Sequence, residues 1–267
     1  CALPISCYNV SEYLSDTIDS LLKNNNNSIE IILVNDGSKD NTIDIIKDYE
    51  KKNKGLIKVI DQHNMGLSMA RNNGVNKASG EYISFIDAED TIKDGLFDKI
   101  FEKLNEADYD MVVFGEDRIF KDRHVYVESG IEKDCKNKNE IKSIMYNIYP
   151  AACNKIYKRS LLLDVPFKRG VWYEDVEFIY RLLPKLNNIG KIDGYYYNYY
   201  QNKIIGRQVE QREIIGAFIV PAGIGKGSHT LRINQGRAYI RELPRCILLA
   251  LLPSCLYLET PVATNTP

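Results

Sequence analysis

The chain has 267 residues and a mass of 30.6 kDa, which is enough for a large domain with a buried core. Its 35 Lys and Arg residues balance 36 Asp and Glu residues, so the chain lacks the positive field on which most nucleic-acid binding depends. The longest nearly apolar stretch, 246–258, is interrupted by Pro253 and is shorter than the roughly 20 residues of a membrane-spanning helix. We therefore expect no nucleic-acid partner and no transmembrane segment.

The six cysteines are scattered, with no C-x-x-C pair and no histidine near them. This distribution argues against a zinc cluster and a disulfide framework, and it favours a reducing, cytoplasmic location. No basic-then-apolar leader is visible at the N-terminal end, so a secretory signal peptide is not expected.

Apolar runs and amphipathic stretches alternate over residues 11–105. The predicted strands are β-branched runs bounded by polar or glycine turns, at 29–34, 56–60 and 82–86. The predicted helices carry apolar residues on one face, three of them after Ser11, Asn41 and Gly66 and a fourth from Leu96. This alternation predicts a doubly wound, Rossmann-like, mostly parallel sheet flanked by helices, with ligands beyond the carboxyl ends of its strands.

The pattern is looser after residue 110. It predicts one more strand at 111–115, a charged loop at 121–138, helices at 140–149 and 174–186, and an aromatic strand at 195–200. The composition then changes at residue 206, from 22 Lys and 6 Arg before it to 1 Lys, 6 Arg and no Asp after it, where five of the nine prolines lie. We interpret residues 207–267 as an atypical tail, foreign to the fold or read in a shifted frame.

Carboxylates follow two of the predicted strands. Asp36 ends the run Val34-Asn35-Asp36 and is followed by Gly37, a position from which it can accept hydrogen bonds from a nucleobase or ribose. An Asx turn that caps the next helix explains Asp36 equally well.

Three acids in four residues, Asp87, Glu89 and Asp90, follow the run 82–86. Crowded carboxylates repel one another unless a cation lies among them, and oxygen ligands favour Mg²⁺ or Mn²⁺. The sequence therefore predicts a metal site here. A solvated cluster at the N-terminus of the following helix is the alternative interpretation.

Two further features have both functional and ordinary explanations. Arg71 lies on the first two turns of the helix after Gly66, where it faces the acids, a phosphate or solvent. Glu174 and Asp175 open a predicted helix, and the helix macrodipole by itself favours acids at that position.

Seven blocks occur in a characteristic order: Tyr8-Asn9, 34–38, 66–72, 80–85, 87–90, 154–157 and 174–175. Together they resemble the glycosyltransferase family 2 enzymes with a GT-A fold. The last two blocks resemble those of members that build bacterial capsule, exopolysaccharide and lipopolysaccharide chains. The resemblance covers residues 5–200.

The resemblance implies an inverting, metal-dependent enzyme of the hexosyltransferase type. Such an enzyme moves a sugar from a nucleotide sugar, here a UDP-sugar, to a glycan or lipid-linked acceptor in surface polysaccharide synthesis. The implied cofactor is Mn²⁺ or Mg²⁺. The implied location is cytoplasmic, with peripheral association at the inner face of the membrane.

The resemblance also implies roles for individual residues. The nucleotide-sugar site would contain Tyr8, Asn9, Asp36, Arg71, Asp87 and Ala88. The metal ligands would be Asp87, Glu89 and Asp90. Asp175 would be the general base, and the acceptor-side residues would be Asn154, Lys155, Trp172 and Glu174. The single tryptophan, Trp172, has two interpretations of equal weight: a stacking wall for an acceptor sugar, or ordinary packing in the core or on the surface.

These roles divide the chain into a nucleotide-sugar-binding half at 1–110, an acceptor and catalytic-base half at 111–206, and the tail at 207–267. Two departures from the family pattern stand out. Glu89 replaces the usual aspartate of the D-x-D motif, and Ser6 replaces a proline, with Pro4 upstream, which predicts a poorly formed first strand.

Two other functions compete with this one. One is a non-catalytic protein that retains the nucleotide-sugar site without turnover. The other is a dinucleotide-dependent oxidoreductase, against which the absence of a G-x-G-x-x-G motif after any predicted strand counts.

Overall fold

The computed structural model describes residues 1–25 and 28–201, and the backbone of six residues further along the chain. The chain divides into two compact units, Cys1–Gln208 and Val209–Pro267. The helices of the first unit are α1 (Leu14–Lys23), α2 (Thr42–Lys52), α3 (Leu67–Lys77), α4 (Leu96–Glu106), α5 (Lys138–Ile144), α6 (Arg159–Asp164) and α7 (Glu174–Leu182). Its strands are β1 (Ala2–Cys7), β2 (Glu30–Asp36), β3 (Ile57–Gln62), β4 (Tyr82–Ile83), β5 (Ile86–Asp87), β6 (Thr91–Ile92), β7 (Met111–Ile119), β8 (His124–Val127), β9 (Lys155–Lys158) and β10 (Ile189–Tyr200).

The strands form one sheet in the order β3-β2-β1-β4-β9-β7-β10-β6, with β5 also paired to β1 and β8 to β7. The pairs β3-β2, β2-β1, β1-β4 and β1-β5 are parallel, as is β7-β10. Strand β9 runs antiparallel to both of its neighbours and joins the two parallel parts. The carboxyl ends of β1, β2 and β5 consequently lie along one edge, where the predicted site residues follow them.

Each face of the sheet is covered by helices. Helices α1, α2 and α4 contribute Leu14, Ile46 and Leu96 to the core on one face. Helices α3 and α5–α7 contribute residues such as Val75 and Phe178 to the core on the other. Burial on both faces explains why β2 is apolar almost throughout rather than alternating.

The predicted helices and most predicted strands of residues 11–105 are confirmed, with two local corrections. The run predicted as one strand at 82–86 is two short strands, β4 and β5, separated by Ser84 and Phe85. Helix α1 begins at Leu14 rather than directly after Ser11, because the amides of Tyr13 and Leu14 both donate to the carbonyl of Val10 and form a preceding turn.

The expectation of a poorly formed first strand is wrong, since β1 pairs with β2 along all six of its residues. The Ser84 amide donates to the Ala2 carbonyl, which shows that even-numbered residues of β1 direct their backbone polar groups toward β4 and β5. Pro4, which has no backbone N–H, therefore has its nitrogen on the side of β1 that faces the interruption between those two strands. On this side of β1, Ala2, Ile5 and Ser6 pair with β4 and β5 but Pro4 does not, which accommodates a proline in a central strand.

Predictions in the second half of the first unit were less complete. The charged stretch 121–138 was expected to be a loop, but it contains β8, which pairs with the extended end of β7. The aromatic strand begins at Ile189, six residues before the predicted start. Strand β9 and helix α6 were not predicted, because Lys155 and Lys158 break the apolar pattern of a four-residue strand.

The interpretation of residues 207–267 as foreign or frameshifted falls largely outside the described residues. Within the second unit the structure describes an antiparallel hairpin of β11 (Arg232–Asn234) and β12 (Arg237–Tyr239).

Helix α3 lies close against β1 because Gly74 faces Pro4. A Cβ atom at position 74 would lie 2.6 Å from the Pro4 Cβ atom, and the proline ring cannot rotate away. We expect Gly74→Ala to lower the free energy of unfolding by about 1–3 kcal/mol, although alanine favours helices. Urea unfolding of Gly74→Ala and of Asn76→Ala, an exposed control on the same helix, measures the effect. Stabilisation by both substitutions would contradict the close packing.

Candidate active site

A buried arginine lies at the centre of the predicted site. The Arg71 side chain is only 4% exposed, and its guanidinium bonds three carboxylates. Its Nη1 atom lies 2.5 Å from Asp175 Oδ1 and 3.0 Å from Glu174 Oε1, and its Nη2 atom lies 3.1 Å from Asp87 Oδ1. Arg71 therefore faces acidic side chains, which is one of the three placements that the sequence allows, the others being a phosphate and solvent.

The four charged residues come from three separate elements. Arg71 lies on α3, Asp87 ends β5, and Glu174 and Asp175 form the first turn of α7. We call this group the Arg71 cluster. The aromatic rings of Phe85 and Phe167 lie 5.8 and 5.2 Å from the guanidinium carbon. These rings exclude water and add cation–π attraction to the ion pairs.

Burial and charge shape the ionisation of the Arg71 cluster. Burial alone would lower the pKa of Arg71, but the three carboxylates outweigh it, and the pKa is raised. The pKa of Glu174 is also raised, first by burial and then by the negative charge of Asp175. The cluster therefore has one cation for three acids, and its acids depend on Arg71 for compensation.

Asp87 and Asp90 are fixed by a tyrosine of β10 that was not among the predicted site residues. The Tyr197 hydroxyl accepts a hydrogen bond from the Asp87 amide at 3.1 Å and donates to Asp90 Oδ2 at 2.8 Å. Asp90 also accepts from the Tyr200 amide, and burial followed by the charge of Asp87 raises the pKa of Asp90 well above its usual value. The tyrosine run was predicted to be a strand, but nothing in its sequence indicated this pairing.

The predicted grouping of Asp87, Glu89 and Asp90 around one cation is not found. Within residues 1–25 and 28–201, no three His, Cys, Asp or Glu side chains are arranged to hold a metal ion. Asp90 is fully buried and bonded to β10, whereas Asp87 is partly exposed. The side chain of Asp90 therefore does not fit the role of a metal ligand.

Asp36 is buried and orders the loop before α3. Its Oδ1 atom accepts hydrogen bonds from the Met65 amide and the Gln62 side chain, both at 2.7 Å, and its Oδ2 atom accepts from the Gly66 amide at 2.9 Å. The alternative role of this carboxylate, an Asx turn at the start of α2, is therefore not the one that its contacts support. Asp36 instead fixes the N-terminal end of the helix that carries Arg71.

Tyr8 and Asn9 follow β1 at the same edge of the sheet. Tyr8 is 45% exposed, and Asn9 has a left-handed backbone with φ of 54°. The Asn9 side-chain oxygen accepts a hydrogen bond from the backbone N–H of Lys39, and the backbone N–H of Asn9 donates to the Ser38 hydroxyl. The loops after β1 and β2 are therefore joined, and Tyr8 is left facing solvent.

The four predicted acceptor-side residues do not form one surface. Asn154 and Lys155 are fully buried, whereas Trp172 is 82% exposed. The next residue, Tyr173, is also exposed and has a left-handed backbone with φ of 55° immediately before α7. Trp172 is therefore not a core residue, and two exposed aromatic side chains precede the acids of α7.

Comparison with known proteins identifies the family. Residues 4–165 match the model of glycosyl transferase family 2, and the chain belongs to that family. Over 128 residues it is 40% identical to the uncharacterized glycosyltransferase EpsJ of Bacillus subtilis, a match covering 48% of this chain and 37% of EpsJ.

Solved structures agree on the fold. The crystal structure of S. aureus TarS 1–349 with UDP-GlcNAc superposes with a TM-score of 0.65 at 24% identity, covering 76% of this chain and 58% of TarS. GalNAc-T7, crystallised with UDP, GalNAc and Mn²⁺, superposes with a TM-score of 0.58 at 16% identity, covering 75% of this chain and 43% of its own. The predicted GT-A fold is confirmed. The chain spans 37% of EpsJ, so the activity of a complete protein belongs with the proposals below.

We expect Arg71→Met to lower the free energy of unfolding by about 3–5 kcal/mol at pH 7, since three carboxylates would lose their shared cation. The loss should be smaller at pH 5, because the uncompensated acids bind protons more tightly in the folded state than in the unfolded state. Urea unfolding at both pH values measures this.

Lys23→Met provides the control for Arg71→Met. Lys23 pairs with Asp94, and both side chains are more than two-thirds exposed. Loss of this exposed pair should change stability by less than about 1 kcal/mol. Equal losses for the two variants would contradict the buried role of Arg71.

Proposed function

We propose that this protein is an inverting glycosyltransferase that moves a sugar from a UDP-sugar to a hydroxyl group of a glycan or lipid-linked acceptor. The supporting observation is that Arg71 joins Asp87 and Asp175 through one buried guanidinium. The two carboxylates remain 30% and 27% exposed, so both can meet a substrate while the cation beneath them is covered. The shared guanidinium thereby fixes the distance between the proposed donor side, at Asp87, and the proposed acceptor side, at Asp175.

Asp175 acts as the general base in this proposal. It removes the proton of an acceptor hydroxyl as the hydroxyl oxygen bonds to the anomeric carbon of the donor. The bond from that carbon to the diphosphate breaks, and UDP leaves with the bonding electrons. Attack from the face opposite the leaving group inverts the anomeric configuration. Arg71 and the Ala152 amide orient Asp175, because each bonds one of its two oxygens.

Asp87 lies on the donor side, with Tyr8, Asn9, Asp36 and Ala88 near the same edge of the sheet. In support of a UDP-sugar donor, the TarS structure of similar fold was solved with UDP-GlcNAc. The contacts of Asp36 favour an indirect role, in which it shapes the loop around a uracil or ribose by holding the amides of residues 65 and 66.

The carboxylates of Asp87 and Glu89 supply oxygen donors of the kind that a divalent cation prefers, but they do not supply a full set of ligands. Mg²⁺ and Mn²⁺ are commonly held by one or two carboxylates together with substrate phosphates, so a complete protein cage is not required. When bound, such an ion supplies charge stabilisation to the departing diphosphate. Asp90 is a buried positioning residue in this arrangement, because it accepts a hydrogen bond from the Tyr197 hydroxyl that bonds the Asp87 amide.

We also propose a role in the synthesis of a bacterial surface polysaccharide, on the basis of the blocks at 154–157 and 174–175. No helix of the described residues is long and apolar enough to span a bilayer. A panel of lipid-linked and soluble glycan acceptors, scored by UDP release, tests the acceptor class.

We predict that Asp175→Asn reduces sugar transfer by about 10²-fold or more, the usual contribution of a positioned base. Affinity for UDP should stay within a few-fold, because Asp175 belongs to the acceptor side. Coupled UDP-release kinetics and isothermal titration calorimetry with UDP measure the two quantities. Asp193→Asn, at a site where the side chain is 90% exposed, is the matched control. Transfer near the wild-type rate in Asp175→Asn would exclude this residue as the base.

We also predict that Mn²⁺ tightens UDP binding and that Asp87→Ala removes the effect. The segment 87–90 then lacks the partly exposed carboxylate of Asp87. Calorimetry with UDP in Mn²⁺ and in excess chelator measures the difference without any need for turnover. Glu89→Asp restores the usual family residue and should retain the Mn²⁺ effect. Equal UDP affinity of the wild type in Mn²⁺ and chelator would contradict the metal proposal.

A further inference from the structure

Lys155 is fully buried, and its ammonium group holds a single turn of the chain. Its Nζ atom lies 2.6 Å from the Tyr149 carbonyl, 2.6 Å from the Ala151 carbonyl and 2.5 Å from Asn154 Oδ1. An ammonium group has three N–H donors, and these three acceptors use all of them. Lys155 therefore has no donor left for a phosphate or a sugar hydroxyl.

The same turn contacts the proposed base. The Ala152 amide donates to Asp175 Oδ2 at 3.2 Å, and the Ala152 carbonyl accepts from the Tyr157 hydroxyl at 3.1 Å. The carbonyl of Lys155 itself accepts from the Ser84 hydroxyl, which anchors β9 beside the segment leading to Asp87. The peptide that faces Asp175 is thus held on both sides.

We propose that Lys155 is a positioning residue for catalysis: its ammonium holds the turn 149–154 in the shape that presents the Ala152 N–H to Asp175. This inference rests on the proposed function, in which Asp175 is the base. It assigns Lys155 a place beneath the acceptor site rather than contact with the acceptor, because the side chain is buried and all its donors are used.

The charge of Lys155 makes the arrangement sensitive to alkaline pH. Burial lowers the pKa of Lys155 to about 8, and the groups that face it and oppose this are Cys153, Glu116 of β7 and Asp175 of α7. A neutral amine has only two N–H groups. One of the three acceptors therefore loses its donor above the pKa, and the turn loosens.

Lys155→Met tests the proposal. We expect kcat for transfer to fall roughly 10- to 100-fold, as for other residues that orient a catalytic group, with UDP affinity within a few-fold of wild type. Hydrogen exchange should show reduced protection of the Ala152 amide. Lys158→Met is the matched control, since Lys158 lies on the same strand and pairs with Asp108 away from Asp175. It should leave all three quantities near wild type.

Unchanged kcat and unchanged Ala152 protection in folded Lys155→Met would overturn the proposal. If that variant does not fold, the pH profile of the wild type decides. The proposal predicts a fall in kcat with a midpoint near pH 8, together with a falling protection factor at Ala152 and constant UDP affinity. A flat kcat and a constant protection factor up to pH 9.5 would overturn it.

The two proposals fail in different ways. If the wild type binds UDP but transfers no sugar to any acceptor, the proposed function fails, and the hydrogen-exchange comparison still tests Lys155. If the wild type transfers sugar and Lys155→Met transfers it equally well with normal protection at Ala152, only the role of Lys155 fails.

Discussion

The burial of a single guanidinium constrains the geometry of the whole candidate site. A buried, unpaired Arg71 would be very costly, and three neighbouring carboxylates without a cation would repel one another. Both costs are avoided only when α3, the end of β5 and the start of α7 meet at one point. The electrostatics of the Arg71 cluster therefore fix the distance between the proposed donor and acceptor sides, which a transfer reaction requires.

Neutral and charged side chains beneath the surface hold the acids of the Arg71 cluster in place. Tyr197 bonds the amide of Asp87 at the end of β5. The turn 149–154, which Lys155 holds, bonds Asp175 through the Ala152 amide. Tyr197 lies on β10, and Lys155 is the first residue of the antiparallel strand β9. Asp87 and Asp175 are thus held by hydrogen bonds to buried groups, which leaves the exposed parts of both carboxylates available to substrate.

The first half of the fold was predictable because its signals are local. Strand β2 is a continuous apolar run, and α3 follows directly after Gly66, so periodicity and turn residues suffice. The carboxylates at strand ends were also found this way. The pairing of Arg71 with Glu174 was not, because Glu174 lies 103 residues away and only the fold brings the two residues together. Strand β9 was missed because Lys155 is buried, against the usual pattern for lysine, and is satisfied by carbonyls that a sequence does not display.

A double-mutant cycle on Arg71→Met and Asp175→Asn tests the central claim most directly, with the free energy of unfolding measured for the wild type, both single variants and the double variant. The account predicts a coupling energy of about 1–3 kcal/mol, because each residue compensates the charge of the other. It also predicts that Asp175→Asn is less destabilising, or even stabilising, once Arg71 is gone. Additive effects, with a coupling energy near zero, would contradict the claim that Arg71 joins the two sides of the site.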